Sequence, residues 1–292
     1  MLLHEKLTFD IYSDSEKIIT EYLLENMDTI EDMTTSSIAK KTYTNTTSLI
    51  RIAKKLDLKG WTDLKKELIK ERDYLNSNLS NIDANKPFAT NDSELTIANK
   101  LATLIKESID DTLQLVDIEE VKNICKLIYQ KKNVMIFSGI TNINLLNNFA
   151  YSLRRLNFNV QVSTNYDYPQ FEAYNLDQDS IAFFISYSGN NPELLPLLRL
   201  VKQNKVDIIS LTSIGDNIIV RNSKYNLKMS SQEKLFSKVG HFNTTASLLY
   251  LLDLIYSVIF TMDYEKNYKK TVDMNQKLET RTTENFKIQE DF

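Results

Sequence analysis

Three of the five glycines in this 292-residue chain follow short runs of branched and aromatic residues. Gly139, Gly189 and Gly215 come just after the runs at 134–137, 181–185 and 208–211. Such runs are typical of buried parallel strands, and loops at the carboxyl ends of these strands border the crevice where small ligands bind. A glycine there lets the backbone approach an anion closely. The sequence therefore predicts an open parallel sheet with a ligand crevice along one edge.

Five strands are predicted in the second half of the chain, with helices in most of the gaps. They cover residues 134–137, 160–163, 181–186, 207–212 and 225–228. Alternation of strand and helix favours a parallel sheet that is covered on both faces. A long apolar helix at about 242–262 follows. Because Asp253 lies near its middle, we expect a buried core or dimer helix and not a membrane span.

The first seventy-odd residues predict an all-α bundle of short helices. Ser13 and Glu16 form a capping-box pattern, a second helix starts near Thr34, and Asn45 is a good N-cap for a third helix at 46–56. A stretch rich in asparagine and serine then predicts a linker. The predicted divisions are a helical domain at 1–76, a linker at 77–94, an α/β domain at 95–265 and a charged tail or helix at 266–292.

Composition limits the setting and the chemistry. The chain is 42% hydrophobic, which is enough for a core in each domain. A single cysteine, Cys125, excludes an intramolecular disulfide framework, so a cytoplasmic setting is expected, and the N-terminus has no signal-peptide pattern. Only two histidines are present, and no pattern indicates a metal site, a cofactor or a set of catalytic residues.

The formal charge of −4 hides a separation of sign. Residues 40–72 carry ten bases against four acids, and the predicted third helix lies inside this basic segment. Two interpretations remain open from the pattern alone: a recognition helix whose N-terminal end enters the DNA major groove, or a solvated basic face on a small bundle. The candidate DNA contacts are Thr46, Thr47, Ser48, Arg51, Lys54, Lys55 and Lys59.

The loop after the third predicted strand is the richest in anion donors. It supplies the hydroxyls of Ser186 and Ser188, the amides around Gly189, and the side chains of Asn190 and Asn191, and a helix is expected to start at Pro192. Such groups at a helix N-terminus can together bind a phosphate.

Two nearby residues have two interpretations each. Glu193 is either a general base or, as we prefer, a complement to the positive end of the helix. His241 is either a proton carrier or, as we prefer, a residue that caps or packs at the start of the last long helix.

The segment 45–61 resembles the recognition region of RpiR/MurR-type transcriptional regulators. Arg51, Lys54, Lys55, Leu56, Gly60 and Trp61 stand in matching places, whereas Asp57 replaces a glycine and Leu58 an aromatic residue. The second half is similar to the sugar isomerase (SIS) domain of these regulators, since the run from Ser186 to Glu193 resembles its Ser-x-Ser-Gly-x-Thr-x-Glu phosphate loop.

The loop after the first predicted strand, which we call the first loop, differs more from the family pattern than the loop after the third strand does. The family pattern there is Gly-x-Gly-x-Ser. Ser138, Gly139, Thr141 and Asn142 remain the candidate ligand residues there, and the alternative is a loop that keeps only its fold. The resemblance implies a helix-turn-helix bundle followed by a SIS-type α/β sandwich with a five-stranded parallel sheet.

The same resemblance implies a function and partners. It implies a regulator of sugar or amino-sugar metabolism that binds a double-stranded DNA operator, responds to a phosphorylated sugar, and forms a homodimer or a higher homo-oligomer. We do not expect an enzyme. The alternatives are an aldose-ketose sugar-phosphate isomerase, and a regulator whose SIS domain is a ligand-free dimerisation scaffold.

Overall fold

The first part of the chain folds into a bundle of short helices. The structure, a computed structural model, describes residues 3–77, 82–139, 143–164 and 168–281. The bundle consists of α1 (Leu3–Leu7), α2 (Asp14–Glu25), a 3₁₀ turn (Met27–Asp32), α3 (Thr35–Lys41), α4 (Thr46–Lys55) and α5 (Trp61–Ser77). The predicted N-cap is confirmed, because Asn45 Oδ1 accepts a hydrogen bond from the Thr47 N–H at 3.1 Å.

A compact apolar core fixes the position of α4. Leu49, Ile52 and Ala53 are buried, and they recur at the three- and four-residue steps that place side chains on one face of a helix. They pack with a core that α2, α3 and α5 contribute, which includes Ile19, Leu23, Ile38, Leu64 and Leu68. The opposite face of α4 is therefore presented to solvent.

The second part is an α/β domain. It consists of α6 (Glu94–Leu115), α7 (Ile118–Lys131), β1 (Asn133–Ser138), α8 (Ile143–Arg155), β2 (Asn159–Val162), α9 (Pro169–Asn175), β3 (Ser180–Ser186), α10 (Leu194–Gln203), β4 (Asp207–Ser213), α11 (Ile218–Arg221), β5 (Tyr225–Met229), α12 (Phe242–Thr261) and α13 (Tyr264–Leu278). All five predicted strands are confirmed, with ends that differ by one residue at most.

The strands form one parallel sheet in the order β2-β1-β3-β4-β5. Successive residues of a strand face opposite sides of the sheet, so Ile136 and Phe183 pack under α7, α8 and α12, whereas Phe137 and Phe184 pack under α9, α10 and α11. The Phe137 and Phe184 rings stack with centroids 5.1 Å apart. This cover on both faces explains why the central strands β1, β3 and β4 are buried along most of their length, whereas the edge strands β2 and β5 also carry exposed polar residues.

The long apolar helix α12 is a core element of this domain. By length and composition alone it is long and apolar enough to cross a membrane. Five of its apolar side chains are buried in the core beneath the sheet: Leu248, Leu251, Leu252, Ile255 and Ile259. It packs along α6, α7 and α8. Its apolar composition therefore serves packing inside the domain, as the sequence predicted.

The segment between the two domains lies against the α/β domain. Asn85 in this segment is buried, and its side chain accepts the Lys234 N–H at 2.6 Å and donates to the Gln232 carbonyl at 3.2 Å. The Val239 N–H returns to the Asn85 carbonyl at 3.0 Å. The described part of the predicted linker is thus fastened to the loop that follows β5.

Candidate ligand crevice and DNA-binding face

Three loops meet at the carboxyl edge of the sheet because β3 lies between β1 and β4. The loop at 186–191, which follows β3, is therefore flanked by Gly139 after β1 and by Gly215 after β4. A Cβ on Gly139 would lie 3.5 Å from Asn191 Nδ2, so the first two loops are in contact. Among the described residues, the structure thus brings Gly139 of the first loop next to Asn191 of the second.

The loop at 186–191, which we call the ligand loop, turns sharply at Gly189. Gly189 has φ +63°, a left-handed conformation that favours glycine, and its N–H donates to the Ser186 carbonyl at 3.1 Å. The Tyr187 carbonyl accepts the Ser213 N–H at 2.9 Å, which ties the ligand loop to the end of β4. The fold thus fixes the backbone of the loop before any ligand arrives.

Both predicted hydroxyls of the ligand loop have capacity to donate. Ser186 is 6% exposed, and its hydroxyl has no hydrogen-bond partner among the described residues. Ser188 is partly exposed, and its Oγ accepts the Asn190 N–H at 3.3 Å, which leaves its proton available. Two hydroxyl donors on one tight turn are the donor set that a phosphate oxygen needs.

The helix after the ligand loop begins two residues later than the sequence predicted. Pro192 and Glu193 form a turn, the Leu194 N–H donates to the Asn191 carbonyl at 3.1 Å, and α10 starts at Leu194. Asn191 Oδ1 accepts the Glu193 N–H at 3.0 Å, so Asn191 stabilises the turn that leads into α10. Glu193 is the exposed N-cap residue, and its side chain makes no capping hydrogen bond.

The predicted ligand residue Ser138, at the start of the first loop, is committed to the sheet. Ser138 is buried, and its hydroxyl donates to the Ile185 carbonyl of β3 at 3.0 Å. That hydroxyl therefore joins two strands. The other two candidates of this loop, Thr141 and Asn142, lie outside the described residues.

The loop after β4 supports the ligand loop from the other side. Asn190 Oδ1 accepts the Ile218 N–H at 3.0 Å, and the Gly189 carbonyl accepts the Ile219 N–H at 3.1 Å. The Asn217 side chain fills the space beside Gly189, because a Cβ there would lie 2.0 Å from Asn217 Cγ. Asn217 Oδ1 also caps α11 through the Val220 N–H at 3.0 Å.

A buried carboxylate near the crevice was not predicted from the sequence. The Glu233 side chain is fully buried, and its Oε1 accepts the N–H groups of Asn243 and Thr244 at 2.7 and 3.1 Å. The other oxygen, Oε2, accepts the Thr244 hydroxyl at 2.7 Å and the Lys238 ammonium at 3.0 Å. Glu233 therefore caps α12 from the preceding loop. The only sequence signal for this capping role is an acidic residue that lies some ten residues before an apolar helix.

His241 occupies the N-cap position of α12, but its side chain makes no capping bond. Its Nδ1 lies 3.9 Å from Glu233 Oε2, and its side chain is 54% exposed. His4, the other histidine, lies in the helical bundle, where its Nδ1 contacts Glu71 Oε1 at 2.5 Å. The predicted position of His241 at the helix start is confirmed, and the capping bonds come from Glu233.

The structure divides the predicted DNA contacts into two groups. Thr47, Arg51, Lys54 and Lys59 are exposed, Thr46 is partly exposed, and the three cations have no ion pair among the described residues. Thr46 and Thr47 lie at the N-terminal end of α4, Arg51 and Lys54 follow along its solvent face, and Lys59 lies in the segment between α4 and α5. Their arrangement offers hydroxyl and cationic donors to phosphates and to base edges.

Ser48 and Lys55, by contrast, serve the bundle itself. Ser48 is buried, and its backbone N–H donates to the Asn45 carbonyl at 3.0 Å. The Lys55 ammonium contacts Glu16 Oε2 at 2.6 Å and donates to the Ile11 carbonyl at 2.8 Å. Glu16 is buried, which opposes its charge, but the hydrogen bonds from Lys55 and Ser13 outweigh burial and hold the pKa of its carboxyl below the ordinary value of 4.5.

Comparison with known proteins agrees with both halves of this description. Residues 6–74 match the family model of the rpiR-family helix-turn-helix domain, and residues 127–258 match that of the SIS domain. A protein of Clostridium perfringens that is named as an HTH-type transcriptional regulator is 28% identical over 268 residues, which cover 88% of this chain and 92% of the relative. One of Haemophilus influenzae with the same kind of name is 27% identical over 250 residues, with 84% of each chain covered.

Among solved structures, the Vibrio vulnificus NanR protein complexed with ManNAc-6P has a similar fold. The TM-score is 0.59 at 19% sequence identity, and the match covers 96% of this chain and 100% of that one. The similarity therefore spans both domains. With an rpiR-family helix-turn-helix domain followed by a SIS domain, this chain belongs to the RpiR-type transcriptional regulators.

Proposed function

We propose that this protein binds a specific DNA site through α4 and that a phosphorylated sugar in the crevice of its SIS domain changes that binding. One observation carries the proposal: the ligand loop presents the hydroxyls of Ser186 and Ser188 on a turn that Gly189 fixes at φ +63°. The same chain presents a separate face of exposed cations on α4. A sensor site and a DNA-binding face thus occur in one molecule.

At the DNA-binding face we assign contacts to the exposed group. Thr46 and Thr47 lie at the N-terminal end of α4, which a helix-turn-helix domain places in the major groove. Arg51 lies one turn further along and can pair with guanine or a phosphate, whereas Lys54 and Lys59 can bind the backbone. Ser48 and Lys55 act indirectly, since they hold the helix in the bundle.

At the ligand crevice the phosphate group would be bound by the hydroxyls of Ser186 and Ser188. The amides around Gly189, which the sequence also predicted as donors, are largely committed inside the loop, because the Gly189 N–H donates to the Ser186 carbonyl and the Asn190 N–H to Ser188 Oγ. Asn190 and Asn191 are committed to the neighbouring backbone through their Oδ1 atoms, so they mainly shape the loop. NanR was solved with ManNAc-6P, which makes phosphorylated amino sugars a reasonable first class of ligand to test.

A homodimer or a higher homo-oligomer fits this function. Closed two-fold assemblies present two recognition helices to two half-sites, so operator symmetry follows protein symmetry. The ligand acts on such an assembly only if it binds one arrangement more tightly than another. We therefore expect the DNA site to be an inverted repeat.

The geometry gives little support to an isomerase. Proton transfer needs a base within reach of the substrate. Both oxygens of Glu233 already accept hydrogen bonds from the start of α12 and from Lys238, and Glu193 is exposed at the entrance to α10. The relatives, too, are named as transcriptional regulators.

The test is DNA binding across a salt series, with and without a panel of sugar phosphates that includes ManNAc-6P. Upstream DNA of the protein's own gene and its neighbours is the probe, and scrambled DNA of equal length is the control, because any basic patch gives salt-dependent binding. We expect specific binding that one phosphosugar changes. Folded protein that binds no DNA specifically but converts a sugar phosphate would support the isomerase instead.

The Ser186→Ala/Ser188→Ala variant tests the ligand site separately. We expect loss of the sugar-phosphate response with DNA affinity within about twofold of the parent, since both residues lie in the other domain from α4 and the pair of hydroxyls makes only one described hydrogen bond, the long one from the Asn190 N–H to Ser188 Oγ. An unchanged response would place the ligand elsewhere. A parent protein with specific DNA binding and no response or thermal stabilisation by any phosphosugar would favour the ligand-free scaffold.

A further inference from the structure

Tyr43 occupies an unfavourable backbone position and packs against almost nothing. It follows α3 by two residues and has φ +53°, in the left-handed region that disfavours side chains with a Cβ. Its side chain is nevertheless 96% exposed, more than any other large apolar side chain among the described residues. The fold therefore gains nothing visible from the phenol.

Backbone hydrogen bonds of the two adjacent residues hold Tyr43 in this left-handed conformation. The Thr42 N–H donates to the Ile38 carbonyl and the Thr44 N–H donates to the Ala39 carbonyl, both at 2.9 Å. This is the helix ending in which glycine is favoured at the left-handed position. The turn would form at least as well with glycine at position 43, so the tyrosine needs another reason.

Position 43 supplies that reason. It lies in the turn between α3 and α4, two residues before the N-cap Asn45, beside the end of α4 that enters the groove. Lys40 and Lys41 precede it, and both are exposed. A tyrosine hydroxyl is one of the groups with which proteins contact the phosphate backbone of DNA.

We propose that the Tyr43 hydroxyl donates a hydrogen bond to a DNA phosphate at the edge of the groove that receives α4. This inference rests on the proposed DNA-binding function and adds a positioning contact to it. The contact carries no base information, so it sets the register of α4 on the duplex. It also offsets the conformational cost of tyrosine in a turn that would otherwise favour glycine.

Three variants test the contact in the full-length protein. Tyr43→Phe keeps the backbone conformation and removes the hydroxyl, whereas Tyr43→Gly removes the side chain and relieves the backbone. Asn157→Gly is the matched control, because Asn157 is exposed, uncharged and also left-handed with φ +67°, and it lies between α8 and β2 in the other domain. Affinity for specific DNA is measured by fluorescence anisotropy, and thermal unfolding is followed for each variant.

The expected result separates function from stability. Tyr43→Phe should bind DNA about three- to tenfold more weakly, as loss of one net hydrogen bond predicts, with an unchanged midpoint of unfolding. Tyr43→Gly should bind as weakly and yet unfold at a higher temperature, and Asn157→Gly should bind like the parent. Binding within twofold of the parent for Tyr43→Phe overturns the inference, and a parent without specific binding refutes the proposed function itself.

A second and independent observation concerns the contact between the two domains. Lys6 in α1 reaches Asp216 of the α/β domain, with Nζ 2.9 Å from Oδ2, and both side chains are mostly buried, at 17% and 23% exposure. Arg221 donates to the same carboxylate, with Nε 2.8 Å from Oδ1. Arg221 and Lys6 together hold the pKa of Asp216 well below its ordinary range.

Asp216 is also next to the residue that supports the ligand loop. Asn217 fills the space beside Gly189, and the following Ile218 N–H donates to Asn190. On the other side, α1 is fastened to α5, because the His4 N–H donates to Glu71 Oε1 at 2.8 Å. A short chain of contacts thus joins the ligand loop to the helical bundle.

From this geometry we infer that Asp216 transmits the state of the ligand loop to the DNA-binding domain through its ion pair with Lys6. The inference again rests on the proposed DNA binding. A shift of Asn217 on ligand binding displaces the adjacent carboxylate, and the ion pair moves α1 with it. The route lies within one chain, so it acts whatever the arrangement of subunits.

A double-mutant cycle tests this route without knowledge of the ligand. Asn217→Ala perturbs the support of the ligand loop, Lys6→Met removes the ion pair, and the readout is affinity for specific DNA. Lys17→Met is the matched control, because Lys17 lies in the same domain and pairs with Asp10 inside it. In the Asn217→Ala/Lys6→Met double mutant, we expect the change in DNA affinity to differ by about two- to tenfold from the product of the two single changes. In the Asn217→Ala/Lys17→Met control, the two changes should be additive in free energy. Additive effects in the first pair overturn the inference, provided that the parent binds DNA specifically.

Discussion

Replacement of Gly189 by alanine should damage both the stability of the SIS domain and its response to ligand. The residue has φ +63°, and alanine in this region costs about 1–2 kcal/mol. Its Cβ would also lie 2.0 Å from Cγ and Oδ1 of Asn217, a contact that no side chain tolerates. Asn217 is buried and cannot simply swing into solvent.

The displaced Asn217 adds a second cost. Its Oδ1 caps α11 through the Val220 N–H, and its Nδ2 donates to Thr212 Oγ1 at 3.3 Å. Loss of such a cap costs about 0.5–2 kcal/mol. The sum is about 1.5–4 kcal/mol, which corresponds to a fall of roughly 3–16 °C in the midpoint of thermal unfolding for a domain of this size.

Circular dichroism and a thermal-shift series with ManNAc-6P measure the two effects. Gly60→Ala is the matched control, because no atom beyond its own residue and its two chain neighbours lies within 4 Å of its Cβ position and its φ is not positive. We expect Gly60→Ala to melt close to the parent. Gly189→Ala/Asn217→Ala should recover part of the loss, since the clash is gone while the strain of the turn remains. A midpoint for Gly189→Ala within 1–2 °C of the parent, with ligand response intact, would refute the account of the turn.

Three further outcomes follow from the structure. Glu16→Gln should lower the free energy of unfolding of the helical bundle by about 1–3 kcal/mol at pH 7. Because the pKa of Glu16 in the folded protein lies below 4.5, the greater stability of the parent is present above that pH and should shrink as the pH falls below it. Denaturant titrations of both proteins at pH 7 and at pH 3 will measure this difference. Burial raises the pKa of the Cys125 thiol to about 12, so a thiol reagent at pH 8 should label it only as fast as the domain opens, and rapid labelling of folded protein would contradict its burial. Arg51→Ala should abolish specific DNA binding and leave the midpoint of thermal unfolding unchanged, whereas Lys55→Met should lower that midpoint. If both variants lowered the midpoint by the same amount, Arg51 would have a structural role as well.

Much of the fold was predictable because its signals are local. The central strands β1, β3 and β4 are mostly apolar runs, and an asparagine before a periodic helix such as α4 is a strong N-cap signal. The turn at Gly189 was also predictable, since glycine between serine and asparagine favours a left-handed turn. These features depend on a few neighbouring residues, so one sequence is enough to show them.

The roles of individual side chains depended on distant partners and were harder to predict. Lys55 has the same sequence pattern as Lys54, yet only Lys55 meets Glu16, which lies 39 residues earlier in the chain. Ser138 lies where a ligand residue is expected, but its hydroxyl bonds to Ile185 in the neighbouring strand. Helical periodicity indicates which residues share a face, and it gives no information on which long side chains another helix will engage.

Glu233 shows why the capping of the N-terminus of α12 could not be predicted from the sequence. A helix N-terminus leaves several N–H groups without partners, and a sequence search looks for the residue that satisfies them at the N-cap itself. Here that residue is His241, whose side chain makes no capping bond, and the carboxylate of Glu233 accepts the two N–H groups from eight positions before it. The Glu233 backbone also meets Tyr187 of the ligand loop, since its carbonyl accepts the phenol hydroxyl at 2.7 Å. One residue between β5 and α12 thus joins the helix start to the ligand loop, and the neighbouring Lys234 N–H is bound by Asn85 of the interdomain segment. The loop after β5 is therefore a structural junction, although nothing in its own sequence marks it as one.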